Sequence, residues 1–198
     1  MKIKVILSSV RENRVGERVA KWVVKQAQQQ PGFEVELLDL SQFALPRFDE
    51  PISPRYNPRR DPHPRAGAWL QKLAEADGYV IVTPEYNHSI PASLKDALDY
   101  TDFQMQKKPA AIVSYGTVGG ARAAEHLKGI LIEAKAAVVP EAVAIIGAQG
   151  VIDEDGNFTG DPTARGNAKD VLEQVLTELS WWTSTLKAGR QQLAQHTA

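Results

Sequence analysis

Apolar residues gather along this chain in five short runs separated by amphipathic stretches. Residues 3–8, IKVILS, are almost continuously apolar and rich in β-branched side chains, as a strand buried on both faces requires. From Asn13 to about Gln30, Val15, Val19, Trp22 and Val23 return at helical spacing and predict a helix. Residues 33–40, FEVELLDL, alternate and predict a second strand. A short helix over about 65–77 leads into the third strand, GYVIVT at 78–83. Pro91 suits the first position of a helix entered from Ser89 or Ile90, and that helix is predicted to run to about residue 105. AAIVSY at 110–115 reads as the fourth strand and 119–136 as a helix. A fifth strand falls within 138–146, and a helix over about 164–188 closes the pattern.

Regular alternation of apolar strands with helices makes this an α/β chain, with a parallel sheet covered on both faces as a three-layer sandwich. Nothing along 1–198 breaks composition, so a single domain is expected. Five strands favour the flavodoxin-like order 2-1-3-4-5, in which a ligand sits beyond the carboxyl ends of strands 1 and 3. The loops at those ends are SSVRENRVG, 8–16, and TPEYNHS, 83–89. They are also the two chemically unusual loops of the chain. Residues 41–66 are proline-rich and basic (Arg55, Arg59, Arg60, Arg65), which predicts a long surface loop. Its arginines read either as solvated or as a site for a nucleotide 2′-phosphate.

Composition narrows the function. A net charge of −1 and a pI near 6.4 argue against an electrostatic nucleic-acid or membrane binder. The chain has no cysteine, which excludes disulfides, thiol redox chemistry and thiolate metal sites, so any redox role needs a cofactor. The apolar start is too short for a signal peptide, and no stretch approaches the ~20 apolar residues of a membrane span, so a cytoplasmic address is expected. The histidines (His63, His88, His126, His196) show no H-x-E or H-E-x-x-H spacing, and no metal site is expected.

The first loop sets Ser9, Arg11 and Arg14 just before a helix. Hydroxyls, free backbone N–H groups and arginines suit a phosphate there. The plainer reading makes Asn13 a helix cap and leaves the arginines in solvent. Neither G-x-x-x-x-G-K-[ST] nor G-x-G-x-x-G is present. In the second loop Tyr86 suits stacking on a planar ligand, or packing on a neighbouring helix. SYGTVGGAR at 114–122 brings three glycines to the end of strand 4. Ser114 makes a poor nucleophile elbow, because Ile112 stands where a glycine is needed. DEDGN, 153–157, lacks the Glu of a calcium loop, Ala164 standing at the twelfth position, and reads as a turn. Trp181 and Trp182 cannot share one helix face, so one is expected in the core and the other at an interface.

SSVRENR, TPEYNHSIPASLKDALD and SYGTVGGARA together resemble the NADPH-dependent FMN reductase family, and so do FDEP at 48–51 and KKPAAIVSYG at 107–116. The likeness covers residues 1 to about 150. It departs from the family pattern at Ser8 (usually Gly), Ala92 (Gly) and Asp96 (Asn). The resemblance implies bound FMN with NAD(P)H as co-substrate. Ser9, Arg11 and Arg14, with the backbone of Val15 and Gly16, would hold the phosphate. Pro84, Glu85, Tyr86 and Asn87, with Ser89 and Ile90, would line the isoalloxazine and ribityl chain. Ser114, Tyr115, Gly116, Gly119 and Gly120 would close the pyrimidine end. It further implies ping-pong transfer of hydride to a small acceptor such as a quinone, flavin or azo compound, no catalytic side chain, and a homodimer or homotetramer joined through the helices after strands 3 and 4. The alternatives are an electron carrier that exchanges single electrons with partner proteins without NAD(P)H, and a regulatory protein on the same scaffold.

Overall fold

The computed structural model describes residues 1–161 and 167–196. Its centre is a sheet of β1 (Lys2–Leu7), β2 (Glu34–Asp39), β3 (Gly78–Pro84), β4 (Pro109–Gly116) and β5 (Ala137–Ile146). The strands lie in the order β2-β1-β3-β4-β5, and every neighbouring pair is parallel. This is the topology expected from the alternation, with the switch point between β1 and β3.

Helices cover both faces. On one, α1 (Gly16–Gln28) and the long α7 (Ala168–His196) bring Val19, Trp22, Val23, Leu172, Leu176 and Leu179 against Val5, Leu7, Val80, Val82 and Val113. On the other, α3 (Pro64–Glu75), α4 (Ala92–Asp99) and α5 (Ala121–Glu133) pack Trp69, Leu73, Leu94 and Leu127 on Ile6, Tyr79, Ile81 and Ile112. Successive strand side chains point to opposite faces, which is why Val80 and Val82 join one core and Tyr79 and Ile81 the other. All seven residues of β3 are buried, so its sequence is apolar without alternation. Lys4 is the one charged side chain buried inside β1. It is accommodated by ion pairs with Glu36 of β2 and Glu75 of α3.

The expected boundaries shift in three places. α4 ends at Asp99 instead of near 105, because local contacts replace the helix: Thr101 Oγ1 donates to Leu98 O (2.7 Å), and Arg60 holds Tyr100 O (2.6 Å) and Asp102 (2.9 Å). α7 continues to His196, past the expected end near 188. The proline-rich loop contains two short elements that the pattern did not suggest, α2 (Leu40–Phe43) and a 3-10 turn at Pro54–Tyr56. The last short helix, α6 (Ala148–Val151), precedes the 153–157 segment, which is a turn with Gly156 at φ +77°. Trp182 packs against the core and Trp181 is exposed, as their adjacency requires. No helix among the described residues is long and apolar enough to cross a membrane.

Candidate functional site

Three loops meet beyond the carboxyl edge of the sheet. The first continues β1: Ser8 N donates to Val82 O (3.1 Å), and Ser8 O accepts from Ser93 Oγ of α4 (2.7 Å). The left-handed residue of this loop is Asn13 (φ 52°), and Ser8 is not in that region. Asn13 does not cap α1. The cap position is Val15, and no side chain makes a capping hydrogen bond to the first N–H groups of the helix.

Ser9 is fully buried and is held from two sides. Its hydroxyl lies 3.4 Å from the Tyr115 hydroxyl of β4, and its carbonyl accepts from Arg14. Burial pushes the Tyr115 phenol up to about 12, so it stays protonated. Gly16 is required at the first position of α1, because a Cβ there would lie 2.5 Å from Tyr115 Oη and 2.6 Å from Ser9 Oγ. The two arginines of the loop differ. Arg14 is buried, and its guanidinium is taken up inside the protein by Ser9 O, Asp39, Glu17 (3.1 Å) and Ser41 Oγ (3.3 Å). Arg11 is exposed and meets no carboxylate among the described residues; its Nε donates to Tyr86 Oη at 2.6 Å. That contact holds the Arg11 guanidinium above its ordinary pKa.

The second loop answers why β3 ends in Pro-Glu-Tyr-Asn. Tyr86 and Ser89 exchange both backbone hydrogen bonds (2.9 and 3.0 Å) around Asn87 (φ 49°) and His88 (φ 68°). This is a two-residue turn with both central residues left-handed, a geometry that usually takes glycine. It presents Tyr86 toward the first loop and leaves Asn87 and His88 in solvent. Glu85 belongs to a clamp. Its backbone N–H continues the β3–β4 pairing to Tyr115 O (3.0 Å), and its carboxylate accepts Arg122 N (3.1 Å) and Arg122 Nε (2.7 Å). The Arg122 guanidinium holds this carboxyl below the usual range. Ile90 is buried, and Ser89 Oγ lies 3.2 Å from His126 Nδ1.

In the third loop Ser114 Oγ is buried and donates to Gly119 O (2.8 Å), which commits it to shaping the loop and not to attack on a substrate. A Cβ on Gly119 would lie 2.9 Å from Ala144 Cβ, and one on Gly120 2.8 Å from Tyr115 N; both glycines are left-handed. Gly116 stands against the Glu85 side chain.

The fold thus gathers the candidate residues of all three loops at one edge. It directs Arg11 and Tyr86 toward each other across the switch point and turns Arg14 inward. Three of the four arginines named in the proline-rich loop are held elsewhere: Arg60 by Glu50 (2.6 Å) and Asp102, Arg55 by Glu133 (3.4 Å), and Arg65 by Ala44 O (3.0 Å). Three contributors went unnamed in the sequence reading: Asp39, Ser93 and Arg122. Asp39 ends β2 at the same sheet edge, a position that marks it. Arg122 lies within the SYGTVGGARA motif.

Comparison with known proteins identifies the family. A model of the family described as NADPH-dependent FMN reductase matches residues 1–150. An NAD(P)H-dependent FMN reductase of Schizosaccharomyces pombe is 38% identical over 163 residues, covering 80% of this chain and 82% of that protein. An NADPH:quinone oxidoreductase of Arabidopsis thaliana is 32% identical over 164 residues, covering 79% and 78%. Among solved structures, the flavoenzyme NAD(P)H:(acceptor) oxidoreductase FerB of Paracoccus denitrificans superposes with a TM-score of 0.73 over 92% of this chain and 97% of that one, at 24% identity, which speaks for the shared fold. The chain belongs to the NADPH-dependent FMN reductase family.

Proposed function

We propose that this member of the family is an FMN-dependent NAD(P)H oxidoreductase that reduces a small acceptor (a quinone, a flavin or an azo compound) by a ping-pong course. The observation that carries this reading is the meeting of an unmatched Arg11, an uncapped helix and Tyr86 at the switch point. The residues present fit FMN. Ser8 Oγ is buried without a partner, and Arg11 is a cation with no carboxylate beside it among the described residues. When bound, FMN supplies the hydride chemistry at its N5, between NAD(P)H and the acceptor.

The protein's own contribution is binding and shape. Ser9, Arg11 and the first N–H groups of α1 hold the phosphate by charge and by hydrogen bonds. Pro84 to Asn87, with Ser89 and Ile90, line the ring and ribityl chain, and the turn at Asn87–His88 keeps Tyr86 in place. Ser114 to Gly120 close the pyrimidine end, where backbone N–H groups favour negative charge. Glu85 and Arg122 lock the second loop to the third. The same reading includes self-association through α4 and α5, which flank a cleft of about 690 Å³ lined in part by Ile90, Leu98 and Ile130. Light scattering at the mass of one chain would remove that element.

The test is an absorbance spectrum of the purified protein with FMN, before and after anaerobic NADPH. Flavin bands that bleach are expected. Bound flavin that NADPH leaves oxidised would instead favour an electron carrier, and failure to bind FMN would overturn the reading. Arg11→Ala is expected to weaken FMN roughly 10- to 150-fold, the worth of one charge-assisted hydrogen bond, measured by flavin fluorescence.

A further inference from the structure

The sequence alone does not rank the two arginines of the first loop, yet the fold uses them differently. Arg14 is buried, and all three of its guanidinium nitrogens have protein partners. Asp39, at the end of β2, bonds Arg14 through one oxygen. Its other oxygen accepts Ser41 N (2.9 Å) and Ser41 Oγ (2.8 Å), which fixes the carboxylate itself. Arg14 passes that placement on to the Ser9 carbonyl, and Glu17 ties it to the first turn of α1. A fork of this shape holds a loop in one geometry because each bond restricts the others.

We propose that Asp39 and Arg14 act as one positioning unit for the phosphate cradle, fixing Ser9 and the start of α1, while Arg11 alone of the two loop arginines meets the phosphate. This rests on the FMN reading of the site. It makes a prediction opposite in sign to plain electrostatics. Asp39 is a carboxylate close to the place of a phosphate, so deleting its charge alone favours an anion. If Asp39 holds the cradle through Arg14, deleting it weakens FMN instead.

The experiment measures FMN and riboflavin affinity by fluorescence quenching over a range of salt, for wild type, Arg11→Ala, Arg14→Lys, Asp39→Asn and the Arg14→Lys/Asp39→Asn double variant, with melting curves to confirm folding. Asp39→Asn is expected to lose roughly tenfold in FMN affinity while keeping the wild-type salt dependence. Arg14→Lys is expected to match it despite retaining its charge, because an ammonium cannot make the same fork. The double variant is expected to lose no more than either single change. Arg11→Ala alone is expected to flatten the salt dependence and erase much of the preference for FMN over riboflavin. FMN affinity unchanged or raised in Asp39→Asn would overturn the proposal, as would near-normal binding in Arg14→Lys or additive losses in the double variant. Should Asp39→Asn fail to fold, Arg14→Lys decides by itself. A wild-type protein that binds neither flavin would overturn the FMN reading, and the positioning unit with it.

Discussion

At Gly16 helix propensity and packing pull in opposite directions. It opens α1, where alanine would favour the helix by up to about 1 kcal/mol. A methyl group there would meet Tyr115 Oη and Ser9 Oγ at bond-like distances. Overpacking of this kind costs about 1–3 kcal/mol, so Gly16→Ala is expected to lower the melting temperature and to weaken FMN; equal FMN affinity would show that the Ser9–Tyr115 contact is dispensable. Gly120 differs, since its φ of +75° is itself unfavourable for alanine by about 1–2 kcal/mol, before the contact with Tyr115 N is counted. Gly120→Ala is expected to lower the unfolding free energy by at least that much, read from urea denaturation. At this scale the sequence was partly legible. It marked SSVRENR as a candidate phosphate loop, because arginines and hydroxyls before a helix at a switch point suit an anion. It did not separate Arg11 from Arg14, since the partner that turns Arg14 inward, Asp39, lies 25 residues away along the chain.

Helices and strands were more legible, because burial imposes periodicity along each element. Their ends were not, because an end is decided by contacts from elsewhere. α4 stops where Arg60, 40 residues upstream, takes hold of Tyr100 O, and nothing near residue 100 announces it. The start of α5 is set in the same way, by Glu85 accepting from the Arg122 backbone and side chain. That carboxyl is held down by Arg122, so its stabilising effect is complete above the ordinary carboxyl pKa and is lost as pH falls through its lowered value. Glu85→Gln is expected to flatten the acid limb of stability against pH and to loosen the second loop against the third. An unchanged acid limb would mean that the clamp contributes nothing to the fold.

Across the whole molecule, chemistry is split between the two ends of the sheet. The carboxyl edge holds the three loops. The amino edge holds Asp77, which accepts from Lys2 N (2.9 Å), Lys187 (2.7 Å) and Arg190 (3.2 Å), beside a buried Lys108 that donates to Leu73 O and Ala74 O. Burial lowers the Lys108 ammonium to about 8. The unfolded chain keeps that proton up to about 10.4, so between these values the unfolded state binds more protons and stability rises with pH. Lys108→Gln is expected to abolish the rise in urea midpoint across that window; a wild-type slope equal to the variant's would sink the argument. The order of strands was readable at this scale from alternation alone. The pairing of Lys108 with α3, and of Asp77 with α7, was not, because it joins segments remote in sequence.

The turn at Asn87 and His88 divides labour between backbone and side chain. Two main-chain bonds between Tyr86 and Ser89 fix its shape, and both intervening side chains point to solvent at the mouth of the site. The left-handed backbone admits glycine most easily and, after it, residues such as asparagine, aspartate and histidine, so shape narrows the choice at these two positions without fixing it. These two positions are thus an exchangeable tip on a rigid mount. A library restricted to glycine, asparagine, aspartate and histidine, which tolerate a left-handed backbone, should redistribute acceptor preference while the melting temperature stays put, giving selection or design a place to change the enzyme's diet without disturbing its skeleton.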